Sequence, residues 1–367
     1  MTDPENKEPS KADIDSVIAK FNAMEDKLGA LCARTKSLIE AILQDANIRY
    51  QSVQFRVKTE RKLRQKYLDP AKSYRQLDDI TDLAGLRVIT YYEDDIDRVA
   101  QVIKREFDID LANSVDKRDT EPDRFGYSAL NYVCRHLAKR ATDVEYKKFA
   151  GIRYEIQVTS VLRHAWSEIE HEWYDLKSAY PKAIKRRFYR IAALLELAES
   201  EFQDIRKQRT DYERSVSVRV EARVPDLPVD AVSLKPFIEQ EPIVSEIDKS
   251  LASILGLDLT AELSDRVVEA RAKAVNAVGI RKLQQLRDTL REHSVAIPEF
   301  VRRCREELWP APPSSSTSVG QCIYHLAVFL LSAKGREQIL EFLKERGAKP
   351  TWDIDRQVAI AQEIAAK

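Results

Sequence analysis

The chain has 367 residues, enough for two or three domains with full cores, and its 60 basic residues balance 60 acidic ones. No global field therefore selects a nucleic acid or a membrane surface, and any preference for an anionic partner must come from local clustering. Cys32, Cys134, Cys304 and Cys322 form no CxxC pair, which argues against a disulfide framework and suits a reducing cytoplasm. The polar start MTDPENKEPSKADID has no apolar core of a signal peptide, and no run approaches the roughly eighteen apolar residues of a membrane span, so neither is expected.

In chain order, residues 1–12 read as a disordered tail, with Pro4 and Pro9 among charges and nothing to bury. From Asp13 the apolar residues Ile14, Val17, Ile18, Phe21, Leu28, Leu31, Leu38 and Ile42 recur at helical spacing, which predicts one long amphipathic helix packed on a sheet. Residues 56–75 hold eight Lys or Arg against two acids, a concentrated positive field in a neutral protein. Arg56, Lys58, Lys62 and Lys66 can face one anion from a turn and the helix that follows. The same pattern describes a solvated helix face, and nucleic-acid and nucleotide phosphates are equally good partners at this level.

Leu86–Tyr92 is a β-rich run and reads as a core strand, with Asp82 just before it and Gly85 at its start. An acid beside a glycine that allows close approach can hold Mg²⁺ next to phosphates; in such turns it can equally bond the local backbone. Asp94–Phe107 reads as a helix with Ile96, Val99, Val102 and Ile103 inward. The polar stretch from Asp110 to Gly126 reads as a mobile loop ending in Gly126-Tyr127-Ser128, followed by a strand through Leu130, Tyr132 and Cys134. Tyr127, directly after a glycine, can stack on a base or simply pack the loop.

The stretch from Ile152 to Lys177 is the most informative. Tyr154, Ile156 and Val158 alternate with Glu155 and Gln157, so the two polar side chains share one face of a strand. After Thr159 the period turns helical through Leu162, Trp166, Ile169 and Trp173. A carboxylate late in a strand that feeds a helix is where open α/β sheets build sites.

Four motifs, in order, resemble the RelA/SpoT-type alarmone synthetases: Arg56-x-Lys58 with Lys66, Asp82-Leu-Ala-Gly-Leu-Arg87, Gly126-Tyr127-Ser128-x-Leu130, and Glu155-Ile-Gln157. The match covers roughly residues 50–178, and HAWSEIEHEW looks like the small, stand-alone and toxic branches. The resemblance implies a mixed β-sheet flanked by helices, related to nucleotidyltransferases, that moves pyrophosphate from ATP to the 3′-hydroxyl of a nucleotide, most simply GDP or GTP. Carried over, Glu155 is the general base and also a metal ligand, Gln157 orients the acceptor, and Asp82 holds Mg²⁺. Arg56, Lys58, Lys62, Lys66 and Arg87 cradle the triphosphate, while Tyr127, Asn131 and His164 take the acceptor.

The departures concentrate on the acceptor side. Asn131 stands where the family commonly has His, Thr159 replaces an Arg, Lys62 replaces a Ser, and Asp123-Arg124-Phe125 replaces a Lys-Pro-Asn type of stretch. The donor assignment to ATP is therefore firmer than the acceptor assignment. An alternative is a toxin-type enzyme that makes adenine alarmones or modifies the 3′ end of tRNA, which the extra charge of Arg61, Lys62 and Arg64 would suit. No His is followed by Asp, so the hydrolase signature of the family is absent and no hydrolase activity is expected.

Two metal readings compete. Glu168-x-x-His171, with His164 one turn earlier, has di-metal helical spacing, but such sites need two copies and the sequence has one. His293, Cys304, Cys322 and His325 match no zinc-finger spacing. A catalytically dead binding module is disfavoured because Asp82, Glu155 and the basic cluster are all intact.

The expected organisation is a catalytic domain over 13–212, closed by a helix from Pro181 to about Arg209, then a helical accessory domain over 213–308. That domain begins with an edge strand or exchanged arm at Ser215–Val224 and is helical from 234, broken at Gly256 and Gly279. A linker at 309–320 and C-terminal helices over 321–367 complete the chain. The C-terminal half is expected to pack or oligomerise, or else to restrain the synthetase or sense a protein ligand.

Overall fold

The computed structural model describes residues 11–69, 74, 76–116, 118, 129–174, 181–310 and 314–367. The chain divides into two compact units, Met1–Arg206 and Lys207–Lys367.

The first unit begins with α1 (Lys11–Asn22) and α2 (Glu25–Asp45), where one long helix was expected. The break falls at Ala23-Met24, where the Met24 amide donates to Phe21, three residues back, before the ladder resumes. The apolar stripe survives it, since Phe21 and Leu28 are both buried. There follow β1 (Tyr50–Val57), α3 (Glu60–Tyr67), β2 (Ala84–Thr90), α4 (Asp94–Glu106), β3 (Phe107–Ile109) and β4 (Val115–Asp116). The unit continues with β5 (Leu130–His136), the short α5 (Ala138–Ala141), β6 (Tyr154–Ser160) and α6 (Val161–Tyr174). The strands form one mixed sheet in the order β1-β2-β6-β5-β3, with β4 also on β5; β2 and β6 are parallel and the other pairs antiparallel.

Each central strand turns one face inward. Leu86, Val88, Tyr132, Ile156 and Val158 join Leu31 and Ile39 of α2 and Ile96, Val99 and Ile103 of α4 in a single apolar cluster. Burying each such side chain contributes about 1.5–3 kcal/mol. This core fixes the register, and a one-residue slip of β6 would turn Glu155 and Gln157 into the apolar cluster.

Helix α7 (Lys182–Glu221) corrects the expectation of a strand at Ser215–Val224. The alternation of Val216, Val218 and Val220 mimics a strand, but only Val216 and Val220, one helical turn apart, are buried; Val218 is exposed.

In the second unit α8 (Ala231–Gln240), α9 (Pro242–Leu255), β7 (Asp258–Thr260), α10 (Asp265–Ala277), α11 (Leu283–Glu292) and α12 (Ala296–Glu307) precede β8 (Ser316–Ser318). Helices α13 (Gln321–Lys334), α14 (Arg336–Glu345) and α15 (Ile354–Ala365) complete it around one core containing Phe237, Leu286, Phe300 and Phe329. The 309–320 stretch, expected as a linker, carries β8 paired in parallel with β7. Buried Asp248 accepts from the amides of Gly320 and Cys322, and buried Arg271 donates to the carbonyls of Ser318 and Val319. Gly320 is required there, at φ +82° with Ile238 only 2.8 Å from where a Cβ would lie. Composition shows the serines of this stretch but not the buried charges that fasten it.

Candidate active site

On the face of the sheet away from the core, strand register sets two rows of side chains. Arg56 pairs with Gly85 and Gly85 with Glu155; one step along, Gln54 pairs with Arg87, Arg87 with Gln157, and Gln157 with Asn131. Because strand side chains alternate, all of these face the same way. A Cβ added at Gly85 would meet nothing within 4 Å, so the floor between Arg56 and Glu155 is open.

Asp82, just before β2, lies between two ammonium groups, with Lys58 Nζ at 3.0 Å and Lys66 Nζ at 2.7 Å. Burial pushes the Asp82 carboxyl upward, but the two lysines outweigh it and hold it below its ordinary value. Burial also lowers Lys58, which faces the positive charges of Lys66 and Arg56. At Lys66 burial opposes the charge as well, yet the contact with Asp82 prevails and its pKa is raised.

A second chain of contacts starts at Arg87. Its Nε donates to Gln157 Oε1 at 3.1 Å, and Gln157 Nε2 donates to Glu155 Oε1 at 2.9 Å. The amide of Gln157 is thus fixed at both ends, which orients the Glu155 carboxylate. The Arg87 guanidinium also contacts His164 Nδ1 at 2.9 Å and donates to Glu168 Oε1 at 2.6 Å, both residues on α6. Burial and the neighbouring Arg87 lower the pKa of His164, so it is neutral at pH 7 with Nδ1 as acceptor. The hydrogen bond from Arg87 lowers that of Glu168.

Arg56, Asp82, Arg87, Glu155, Gln157 and Glu168 line one cleft, so both carboxylates expected from sequence share a cavity with two of the expected cations, Arg56 and Arg87, while Lys58 and Lys66 contact Asp82. Asn131 is buried on the same face, its Oδ1 without a hydrogen-bond partner among the described residues. Lys62, by contrast, is exposed on α3, its amide capped by Thr59. Tyr127 and the side chain of His171 lie outside the described residues. Sequence reading missed Gln54 and Phe55, which also line the cleft, because β1 was not anticipated and Arg56 was placed in a turn. It also missed the pairing of Glu168 with Arg87, which nothing in sequence spacing reveals.

No group of three or more His, Cys, Asp or Glu side chains able to hold a metal occurs among the described residues. In the second unit His325 stacks on Trp309 and His293 packs against Phe329.

The mixed sheet thus brings Asp82, Glu155, Arg56 and Arg87 to one cleft, with Lys58 and Lys66 held against Asp82. Residues 55–179 match the family model described as the region found in RelA / SpoT proteins, and this part of the chain is a RelA/SpoT region. Among curated relatives, GTP pyrophosphokinase YwaC of Bacillus subtilis (strain 168) is 26% identical over 130 residues, covering 35% of this chain and 59% of that protein. GTP pyrophosphokinase YjbM of the same organism is 23% identical over 145 residues, covering 39% and 65%. The matches thus span less than two thirds of either relative. Among solved structures, small alarmone synthetase 1 from Bacillus subtilis is 19% identical with a TM-score of 0.45, over 52% of this chain and 98% of that one. A GTP pyrophosphokinase family protein from Streptococcus pneumoniae is 22% identical with a TM-score of 0.45, over 53% and 96%.

Proposed function

We propose that the first unit is a pyrophosphokinase that transfers the β,γ-diphosphate of ATP to the 3′-hydroxyl of a nucleotide, with GDP or GTP as the acceptor. The observation that carries this reading is the cleft shared by Glu155, Asp82, Arg56 and Arg87, with Lys58 and Lys66 paired to Asp82. The guanine acceptor is supported by the names of the curated relatives.

In this reading Glu155, oriented by Gln157, takes the proton of the 3′-hydroxyl as its oxygen bonds to the β-phosphorus. The bond from that phosphorus to the oxygen bridging the α-phosphate breaks, and AMP leaves. Arg87 and Arg56 neutralise charge on the moving diphosphate. Lys58 and Lys66 exchange their contacts with Asp82 for phosphate oxygens, which frees the Asp82 carboxylate.

A carboxylate pair beside a triphosphate suits Mg²⁺, which takes one or two carboxylates and completes its shell with phosphate oxygens and water. Asp82 and Glu155 would hold it, and it would supply charge neutralisation on the phosphates. In the second unit the same reading assigns restraint of the first or sensing of a protein ligand.

The test supplies ATP labelled at the γ-phosphate together with GDP, GTP, adenine nucleotides or tRNA. Label is expected on the guanine nucleotides; label on tRNA or adenine nucleotides alone would replace the acceptor, and no transfer to any of them would overturn the reaction. Glu155→Gln is expected to slow transfer by about 10²–10⁴-fold while the fold is kept. Truncation after Arg206 is expected to raise activity if the second unit restrains the first.

A further inference from the structure

In the second unit α10 turns one side to the core and the other to solvent. Val268, Ala272 and Val275 are buried. Arg266, Ala270, Lys273 and Ala277 are exposed and, at 100° per residue, fall within an arc of about 60°. The two alanines leave a trough between the longer side chains. With Arg281 just beyond the helix and Arg346 just beyond α14, this side of α10 lines a cleft of about 690 Å³. That is the size of a small-molecule site, yet no large apolar side chain lines it among the described residues.

The cleft carries four cations against two carboxylates, and one of these, Glu269, is already held by Lys273 at 2.7 Å. No carboxylate contacts Arg266, Arg281 or Arg346 among the described residues. Elsewhere in the unit arginines are paired, Arg287 with Glu241, Arg302 with Glu299 and Glu306, and Arg356 with Glu307. Arg346 is half-buried, its guanidinium 3.6 Å from the centre of the Phe342 ring and donating to the Phe342 carbonyl at 3.3 Å. Burial lowers its pKa, as expected of a cation lacking a counter-charge. Arg266 stands in the first turn of α10, the end at which a helix disfavours a cation and favours an anion. The backbone of Arg281 is fixed on both sides, its amide donating to Gln285 Oε1 at 3.1 Å and its carbonyl accepting from the Val229 amide at 2.8 Å.

We propose that this cleft binds a short phosphate chain, either an inorganic oligophosphate or the chain of a nucleotide. Guanidinium forks match phosphate oxygens two at a time, and three of them around a cleft without an apolar anchor select a compact polyanion over a neutral or greasy ligand. From Arg266 to Ala277 the helix rises about 16 Å, room for several phosphates in line. An acidic peptide fits less well, because its side chains lie about 3.4 Å apart along the chain and point to alternate sides. None of these residues belongs to the catalytic cleft of the first unit.

Hydrogen exchange of the full chain, read peptide by peptide, tests this proposal and separates it from binding in the first unit. Sodium tripolyphosphate and, in a second arm, ATP are each expected to slow exchange saturably in the turns that follow α10 and α14, residues 277–282 and 346–349. Adenosine should not. Protection at lower concentrations of ATP would make a nucleotide the source of the chain, and protection at lower concentrations of tripolyphosphate an inorganic one. Arg281→Ala, at an exposed position, should raise the half-protecting concentration by about tenfold. Arg346→Lys keeps the charge but loses the planar fork, and should do the same. The proposal is overturned by an absence of protection in these turns, by equal protection from sodium sulfate at matched ionic strength, or by indifference to both substitutions. Protection by an oligonucleotide or a polyglutamate peptide but not by tripolyphosphate would overturn it as well.

Discussion

Arg87 in the middle of β2 and Glu168 on α6 are joined by a 2.6 Å ion pair across the mouth of the cleft, and the two partners are not equivalent. The Arg87 side chain is 15% exposed and also held by Gln157 and His164, whereas Glu168 is 60% exposed. An exposed carboxylate in such a pair contributes little, about 0–1 kcal/mol. Arg87→Ala is therefore expected to lower kcat/KM for pyrophosphate transfer by about 10²–10³, the cost of losing a preorganised donor aimed at developing charge. Glu168→Ala should change it by less than about tenfold, because Gln157 and His164 still position the guanidinium. Steady-state kinetics on the two variants separate these outcomes, and equal losses would show that Glu168 itself takes part in the reaction.

Asp82 is expected to act through its charge rather than its shape. Lys58 and Lys66 hold it ionised, so Asp82→Asn preserves size but leaves the two ammonium groups without their counter-ion. ATP without magnesium should bind the variant at least as tightly as wild type, since the lysines need no longer be drawn from a carboxylate. Transfer should fall by about 10² and lose most of its dependence on magnesium concentration. Calorimetric titration with and without magnesium, set beside the transfer rate, checks both halves. For Asp82 as for any carboxylate with a depressed pKa, the stabilisation is full above its ordinary value and lost as pH falls through the lowered one.

Much of this site was legible because its chemistry lies in alternating strands. Glu155 and Gln157 show their shared face in the sequence, and Leu86–Tyr92 reads as a core strand because β2 is central and nearly every residue along it is apolar. β1 was not legible, since as an edge strand it buries only Val53 and its polar residues give no clean period. The end of α7 misled in the opposite way, since valines two apart imitate a strand while the helix uses every second one. The serine-rich stretch before Gly320 read as a linker because its partners, Asp248 and Arg271, lie far away in sequence. The Arg87–Glu168 pair joins residues 81 apart, a contact only the fold can make.

Asn131 sits opposite Gln157 in the β5–β6 ladder with its carbonyl oxygen buried and without a hydrogen-bond partner among the described residues, an arrangement that costs about 1–3 kcal/mol unless another group donates to it. Gln157 donates to Glu155 through Nε2 and accepts from Arg87 through its oxygen, with no hydrogen bond to Asn131 found among the described residues. Asn131→Leu, similar in branched outline and apolar, is therefore expected to keep or raise thermal stability. If the oxygen serves the acceptor, the same change should raise KM for the acceptor about 10–100-fold and leave KM for ATP unaltered. A loss of stability with both KM values unchanged would assign Asn131 to packing alone.

His136, at the end of β5, sets a pH limit on the first unit. Its Nε2 lies 3.1 Å from Thr35 Oγ1, whose hydroxyl proton goes to the Leu31 carbonyl, so the ring is the neutral Nε2–H tautomer, with Nδ1 without a hydrogen-bond partner among the described residues and the ring packed by Phe107, Tyr146 and Tyr154. Burial, assisted by Arg140, pushes the imidazole down to about 4. The unfolded chain takes up this proton near pH 6.5 and the folded chain does not until about 4. Acidification through that window therefore favours unfolding, by about 1.4 kcal/mol per pH unit and on the order of 3 kcal/mol in all. His325, likewise lowered to about 4 by burial, acts in the same direction in the second unit. Urea unfolding followed at pH 7, 6 and 5 should show the midpoint falling. His136→Phe should be less stable than wild type at pH 7 through loss of the Thr35 contact, yet its stability should fall less steeply with acid by close to one proton. Parallel slopes in the two proteins would mean that His136 titrates alike in the folded and unfolded chains.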